Sequence, residues 1–504
     1  MQILSFIKLA VLVILGYSTV FSVNLAANNY NFISLVENLE KTKQLANLPS
    51  GTSIVAIKDD EIVFQAHIGF ADIANDIKVT GETPFYIASV TKPFTALNAL
   101  LDIENKNLSP NIVLSDMFPN FELKGINDKD IGINHLLTHT SSIDNYPLVL
   151  ATAYSGEYDS ESLITLVHEY SEKEPQGVGN FKYTNVGYNL YSIFADNYFE
   201  SSWQERLSKQ VFEPLELTHT SAARSFFDKY KITVAKPYSL MVNTLPKSLP
   251  LEKQDVTMHA AGGMYASSND LAKFLMVQLN QGKLKDKQVF PASVVLKSQQ
   301  QQVVTEAKYM DIARTGYAWG WYTGEYKGHN MLHHFGGFSG THAHLSFMPD
   351  QKLGLAVINN EDFLSSRLTS IIADYVYGKL LQEKGIDNKV EKRFMALNKK
   401  ISSIDTILEK QQLKISNRKI NLSLPMHAYV GKYHHPQLGT VSITEVNDNQ
   451  INVNWGVMNS IATGFDEQDK IRVTLKPTSG EIISFDVDKK ILSLTYQGLK
   501  FSRI

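Results

Sequence analysis

Ser89-Val90-Thr91-Lys92 is the segment of this chain with the clearest chemical content. A serine hydroxyl attacks a carbonyl only when a base takes its proton. Three residues along a helix make about one turn, so Ser89 and Lys92 would share a face and the amine would reach the hydroxyl. Burial would lower the lysine pKa and free the amine to act as that base. A helix starting here would also offer free backbone N–H groups and a positive dipole end to a developing oxyanion. Pro93 is compatible only with the start of a helix. The same spacing recurs at Ser5–Lys8 and Ser416–Lys419. Only Ser89 follows an apolar, strand-like segment (Phe85-Tyr86-Ile87-Ala88) and opens an apolar helix. For a single Ser-x-x-Lys match, an N-cap serine beside a surface lysine is the commoner outcome.

Two further elements could complete such a site. Tyr183-Thr184-Asn185 is the one place where any of the 23 tyrosines is followed two positions later by Asn. A tyrosine beside a buried ammonium loses its proton more readily and could relay protons. Asn185 could donate to a substrate carbonyl and accept from the lysine. The third element is His333-His334-Phe335-Gly336-Gly337-Phe338-Ser339-Gly340, where glycines let the backbone approach a ligand closely. The N–H of Gly337 could then form an oxyanion hole with that of Ser89. The rival reading of His333, His334, His342 and His344 is a metal site. No carboxylate stands nearby at a matching spacing, so no metal is expected.

These residues need a frame. Ser53–Ile57 and Glu61–Ala66 predict two strands joined by the turn Lys58-Asp59-Asp60. Pro93–Asn105 has helical spacing through Phe94, Leu97, Leu100 and Leu101. Asn269-Asp270 opens a capped amphipathic helix carrying Leu271, Phe274, Leu275 and Leu279. Leu345–Phe347 and Leu353–Ile358 predict a hairpin turning at Pro349-Asp350, and Asp362–Gln382 a helix. Residues 384–420 are Lys-rich and predict a helical or extended linker. From Tyr429 onward, short alternating segments such as Ile451–Trp455 and Leu492–Tyr496 predict a small antiparallel barrel or sandwich.

Composition narrows the class. Of 504 residues, 43% are apolar and 20% charged, as in ordinary globular proteins, which excludes a disordered chain or a multi-span membrane protein. The formal charge of −3 gives no basic surplus for nucleic acid. With no cysteine, disulfides, a thiol nucleophile and Cys-ligated metals are excluded. Lys8, the apolar run Leu9–Leu15, and small residues Val20 and Ser22 read as a secretory signal peptide over 1–22. The run is short for a membrane anchor of ~20 apolar residues. No cysteine follows it for a lipid anchor. The expected location is secreted or periplasmic.

The Ser89, Tyr183 and His334 elements, in this order, resemble the serine β-lactamase and penicillin-binding-protein superfamily. The nearest branch looks like class C β-lactamases with the related esterases and D-amino-acid peptidases. Three more stretches carry the resemblance. Asn134–Ser142 is similar to that branch's "hLLtHtSG" segment, with Ser142 for Gly. Ala260–Leu271 is similar to "aGGlyStaxDl", and Phe212–Thr220 to "PLGMxxT", with Glu216 for Gly.

The resemblance implies an α/β (α+β) fold. An antiparallel sheet would be flanked by helices, with a helical subdomain and a small all-β domain appended. The expected division is signal 1–22, hydrolase domain 30–383, linker 384–420 and β-domain 421–504. Ser89 would be the acylated nucleophile, with Lys92 and Tyr183 sharing proton transfer. Asn185, His334, Gly336 and Gly337 would bind substrate and the oxyanion. His334 stands where many relatives carry the lysine of Lys-Thr-Gly. A histidine is mostly neutral near pH 7, so esters, amides or D-amino-acid peptides become plausible substrates beside β-lactams and D-Ala-D-Ala. The expected activity is acyl-enzyme hydrolysis of a small-molecule or peptide substrate, without a cofactor and without nucleic acid. A non-catalytic cell-wall-binding protein on the same fold is the alternative from another class.

Overall fold

The computed structural model describes residues 30–119, 123, 125–242, 244–309, 311–447 and 450–504. The expected signal peptide, 1–22, lies outside the described residues.

The main body is built on an eight-stranded antiparallel sheet. Its strands in chain order are β1 (Thr52–Lys58), β2 (Glu61–Ile68), β3 (Val303–Tyr309), β4 (Ile312–Tyr317), β5 (Tyr322–Tyr326), β6 (His329–Phe338), β7 (Thr341–Met348) and β8 (Leu353–Asn359). Across the sheet they run β3-β4-β5-β6-β7-β8-β1-β2. The N-terminal hairpin and the later strands meet where β1 pairs with β8, Val55 opposite Ala356. The apolar run Ile54–Ile57 at the centre of β1 is buried on both faces of the sheet. Val55 and Ile57 point into one core, Ile54 and Ala56 into the other.

One face carries α1 (Ile33–Leu45) and α5 (Phe363–Leu380). The other carries α2 (Thr91–Glu104) and α4 (Ser268–Leu279), with Phe94 stacked on Phe274 at 3.7 Å. The cap of α4 is Ser267, whose Oγ accepts from the Asp270 N–H at 3.2 Å. Between α2 and α4 lies a helical subdomain that includes α3 (Val186–Tyr198).

Residues 384–420 hold two helices, α6 (Ile386–Ile401) and α7 (Ile404–Ser416). In α6 the side chains of Ile386, Val390, Phe394, Leu397 and Ile401 are buried in the same core as α1 and α5. That helix is thus packed as part of the main body.

The C-terminal β-domain is a nine-stranded antiparallel meander from Gly431 to Arg503. Its first strand, Gly431–His435, pairs with its last, Leu499–Arg503, which nearly closes it into a barrel. Tyr433, Val453, Trp455, Leu494 and Phe501 fill its interior. The domain leans on the helical subdomain: the Val457 N–H donates to the Ser155 carbonyl at 3.0 Å. Near the end of β6, the Ser339 hydroxyl donates to the Pro477 carbonyl at 3.4 Å.

Candidate active site

Ser89 sits in a short 3₁₀ turn, Ala88–Val90, that leads directly into α2. The turn is fixed from both sides. The Ile87 N–H donates to the Met264 carbonyl at 3.0 Å, and the Thr91 hydroxyl closes onto the Ala88 carbonyl at 2.7 Å. Ala88 takes φ +45°, a left-handed conformation that costs a residue with a Cβ about 1–2 kcal/mol. This strained residue directly precedes the candidate nucleophile, the kind of place where such strain collects.

Lys92 is fully buried on the first turn of α2. Its Nζ donates to Ser89 Oγ (3.2 Å), Asn185 Oδ1 (2.8 Å) and the Ala261 carbonyl (2.7 Å). All three acceptors are uncharged. Burial therefore acts without compensation and holds the amine well below the usual lysine pKa. The Ala260–Met264 segment floors this arrangement, since the Ala260 carbonyl accepts from Thr95 at 2.8 Å. Gly320, at φ +80°, lies so close to α2 that a Cβ there would fall 2.7 Å from the Lys92 carbonyl. No other residue type fits that approach.

Asn185 immediately precedes α3 with its side chain turned to Lys92 and not to the helix end, and Tyr183 stands two residues before it. The Tyr183 ring lies 4.8 Å from Lys92 Nζ. Its hydroxyl is buried near Ser89 without a well-formed hydrogen bond. Burial pushes the Tyr183 pKa well above 10; neighbouring Tyr322 adds to the rise and Ser89 opposes it. The phenol is not made acidic here, contrary to the expectation from sequence, because desolvation of the phenolate outweighs the lowering by Ser89 and Arg314.

β6 closes the opposite side. A Cβ on Gly336 would fall 2.0 Å from the Ile87 carbonyl and 3.1 Å from the Ser89 nitrogen, so glycine is required for the strand to reach the Ser89 turn. A Cβ on Gly337 would meet nothing within 4 Å, and this position faces open space. His334 is fully buried. Its Nδ1 bonds the Phe335 carbonyl at 2.7 Å and its Nε2 the Tyr317 hydroxyl at 3.2 Å. Burial and the Lys92 charge hold it well below the usual histidine pKa. Both nitrogens of His334 are thus engaged inside the protein. Among the described residues, no group of three or more His, Cys, Asp or Glu side chains is arranged to hold a metal.

Ser89, Lys92, Tyr183, Asn185, His334, Gly336 and Gly337 therefore lie around one place. The family model described as beta-lactamase matches residues 42–371, more than half of the chain. The chain belongs to the beta-lactamase family. It is 23% identical over 350 residues to Protein flp of Staphylococcus aureus, covering 69% of this chain and 66% of flp, just under two thirds of that protein's length. Among solved structures it is similar to the octameric penicillin-binding protein homologue from Pyrococcus abyssi. There the TM-score is 0.60 at 20% identity, over 93% of this chain and 99% of that one. It is also similar to the D-amino acid amidase from Ochrobactrum anthropi SV3, with TM-score 0.52 at 18% identity over 65% and 93% of the two chains. These likenesses establish the penicillin-binding-protein and beta-lactamase fold.

Two residues beside the site, Tyr317 and His139, have no distinct motif of their own in the sequence; His139 lies within the Asn134–Ser142 stretch. Their one visible signal is compositional: Tyr317 opens the aromatic and glycine cluster Tyr317-Ala318-Trp319-Gly320-Trp321.

Proposed function

We propose that the protein is a serine hydrolase working through an acyl-enzyme on Ser89, acting on an ester, amide or D-amino-acid peptide. The observation that carries this is the buried Lys92 ammonium, bonded to the half-buried Ser89 hydroxyl and to no carboxylate. In its neutral form Lys92 takes the Ser89 proton as Oγ bonds to the substrate carbonyl carbon. The oxyanion is received by the N–H groups of Ser89 and Gly337. Collapse expels the leaving group, which takes the Tyr183 proton as the proton that Lys92 took from Ser89 replaces it on the phenol, so no free phenolate forms. Water then attacks the ester on Ser89, and the proton path runs in reverse. Asn185 holds Lys92 and orients the substrate. His334 acts by position and neutrality.

One observation favours a second reading, a substrate bearing a carboxylate. Arg314 lies 3.5 Å over the Tyr322 ring beside the site, and its Nη2 is buried without a partner. A β-lactam or a D-Ala-D-Ala peptide would bring the missing anion. The proposed setting for either reading is outside the cytoplasm, on the strength of the 1–22 segment.

Intact-mass analysis tests both. The expected result is a fluorophosphonate adduct on Ser89, absent in Ser89→Ala. An added penicillin adduct would select the carboxylate-recognising reading. No adduct with either reagent would overturn the hydrolase proposal and favour a binding protein on this fold.

A further inference from the structure

Behind the candidate site, four hydrogen bonds run in series. The Thr184 N–H donates to His139 Nδ1 at 3.3 Å. His139 Nε2 meets the Tyr317 hydroxyl at 3.2 Å. That hydroxyl meets His334 Nε2 at 3.2 Å, and His334 Nδ1 meets the Phe335 carbonyl at 2.7 Å. The two ends fix every proton between them. A backbone N–H only donates, so His139 Nδ1 carries no proton and its neutral ring is protonated at Nε2. A backbone carbonyl only accepts, so His334 is protonated at Nδ1. Tyr317 therefore accepts from His139 and donates to His334. Protonating His139 would set two N–H groups against each other at Thr184. Protonating His334 would leave Tyr317 facing two imidazole donors and would turn its own proton away from His334 to the neighbouring Tyr188 hydroxyl, breaking the series.

The ends of the chain are also informative. Thr184 lies between Tyr183 and Asn185. Phe335 precedes Gly336 and Gly337. His139 itself stands at φ +60°, and its carbonyl accepts from the Lys182 N–H at 2.8 Å, so backbone and ring grip the same loop.

We infer that His139, Tyr317 and His334 form one positioning unit that ties the Tyr183–Asn185 loop to the Gly336–Gly337 strand, with the two imidazoles locked neutral in opposite tautomers. None of the three is assigned contact with substrate. Their task is to hold the proton-relaying phenol and the oxyanion-binding N–H at a fixed separation across Ser89. The inference rests on the proposed role of Ser89 only for its kinetic consequence. The surroundings agree with neutrality. His334 faces Lys92 from α2, Arg314 from β4, His344 from β7, and the rings of Tyr183 and Tyr322. His139 faces Lys92, His334, Tyr183, Tyr188 and Tyr317. Burial is the largest influence on both rings. The Lys92 charge, and for His334 also that of Arg314, opposes any further positive charge.

Two measurements on the full chain test the inference. The first is nitrogen NMR of the wild-type protein labelled at histidine, with assignments from His139→Asn and His334→Asn. Asn is tolerated at a left-handed φ, so the first variant keeps its backbone. The expected result is one ring protonated at Nε2 and one at Nδ1, both neutral from about pH 5 to 8. Equal tautomers, or titration of either ring in that window, would overturn the lock.

The second is a double-mutant cycle with Tyr317→Phe and His139→Asn, read by the rate of fluorophosphonate labelling. Each single change is expected to slow labelling by roughly 10- to 100-fold, the scale of a misplaced catalytic group. The double variant is expected to be no slower than the worse single. Multiplying effects, or wild-type rates throughout, would overturn the unit. A wild-type protein that takes no label would sink the hydrolase proposal, and the NMR result would still decide the lock.

Discussion

Two buried serine–lysine contacts stand among the described residues, and they differ in whether the serine can be reached. Lys43 Nζ donates to Ser50 Oγ at 3.1 Å; Lys92 Nζ donates to Ser89 Oγ at 3.2 Å. Both lysines are buried, and both give another proton to a backbone carbonyl, that of Ser50 or of Ala261. Burial lowers both pKa values, Lys43 to about 8 and Lys92 well below its usual value. The pairs part company in what surrounds them. Ser50 is 1% exposed. It links α1 to the start of β1. Glu361 favours the charged form of Lys43. Ser89 is half-buried. It opens a helix, faces the glycines of β6, and has Tyr183 and Asn185 beside its lysine. A short Ser–Lys contact is thus cheap to build. Access, a carboxylate-free environment and the glycine strand beside the serine make the difference.

The largest effect that would break this comparison concerns the lysines. Lys92→Met should slow fluorophosphonate labelling of Ser89 by about 10²–10⁴-fold, the usual contribution of a positioned base. Lys43→Met should leave the labelling rate within about twofold while lowering stability by about 1–3 kcal/mol, because the buried Ser50 carbonyl loses this donor. Chemical denaturation beside the labelling assay separates the two outcomes. Equal loss of labelling in both variants would mean that Lys92 acts only through the fold.

The pH response should also differ. Labelling of Ser89 requires neutral Lys92, so its rate should climb with pH through the depressed Lys92 pKa and level off well below 10.5. Lys43 should appear in stability and not in labelling; the buried amines of Lys92 and Lys253, also depressed, raise stability with pH as well, so the Lys43 share is the difference between wild type and Lys43→Met. Between about pH 8 and 10.5 the unfolded chain binds a proton at Lys43 that the folded chain does not, so stability rises with pH across that window. The swing should be about 3 kcal/mol, and Lys43→Met should remove it. Denaturation midpoints from pH 7 to 10.5 measure it. Wild-type and variant curves of equal slope across that window would contradict the depressed Lys43 pKa.

Much of this frame was legible in the sequence because burial on both faces writes itself plainly into strands such as Thr52–Lys58 and Leu353–Asn359. The candidate residues were legible because their spacing within short segments is local. What stayed hidden is of three kinds. The Lys-rich composition of 384–420 masked the apolar stripe Ile386, Val390, Phe394, Leu397 and Ile401, which helical spacing sets on one face. The link from His139 through Tyr317 to His334 joins three distant segments, and nothing local announces it. The two departures from the family's glycine pattern, Ser142 and Glu216, both prove to occupy left-handed backbone, at φ +58° and +53°. The pattern had marked a conformation, and this chain keeps the conformation without the glycine. Ser142 is held there by its hydroxyl, which donates to the Glu174 carbonyl at 2.9 Å.

The smallest effect sharpens what separates Ser89 from Ser50. Ala88→Gly would relieve the left-handed strain before Ser89, worth about 1–2 kcal/mol, but would restore backbone freedom to the unfolded chain, worth about 0.5–1 kcal/mol. The two nearly cancel, so the denaturation midpoint should hardly move or rise slightly. Labelling should fall by a few-fold, because the alanine Cβ that Gly lacks helps restrict the turn to one orientation of Ser89. The matching change Pro49→Ala, before Ser50, should lower stability through the same unfolded-state term and leave labelling unchanged. If Ala88→Gly instead labelled faster than the wild type, the strained turn would be holding Ser89 back, and its left-handed alanine would belong to folding and not to the positioning of the nucleophile.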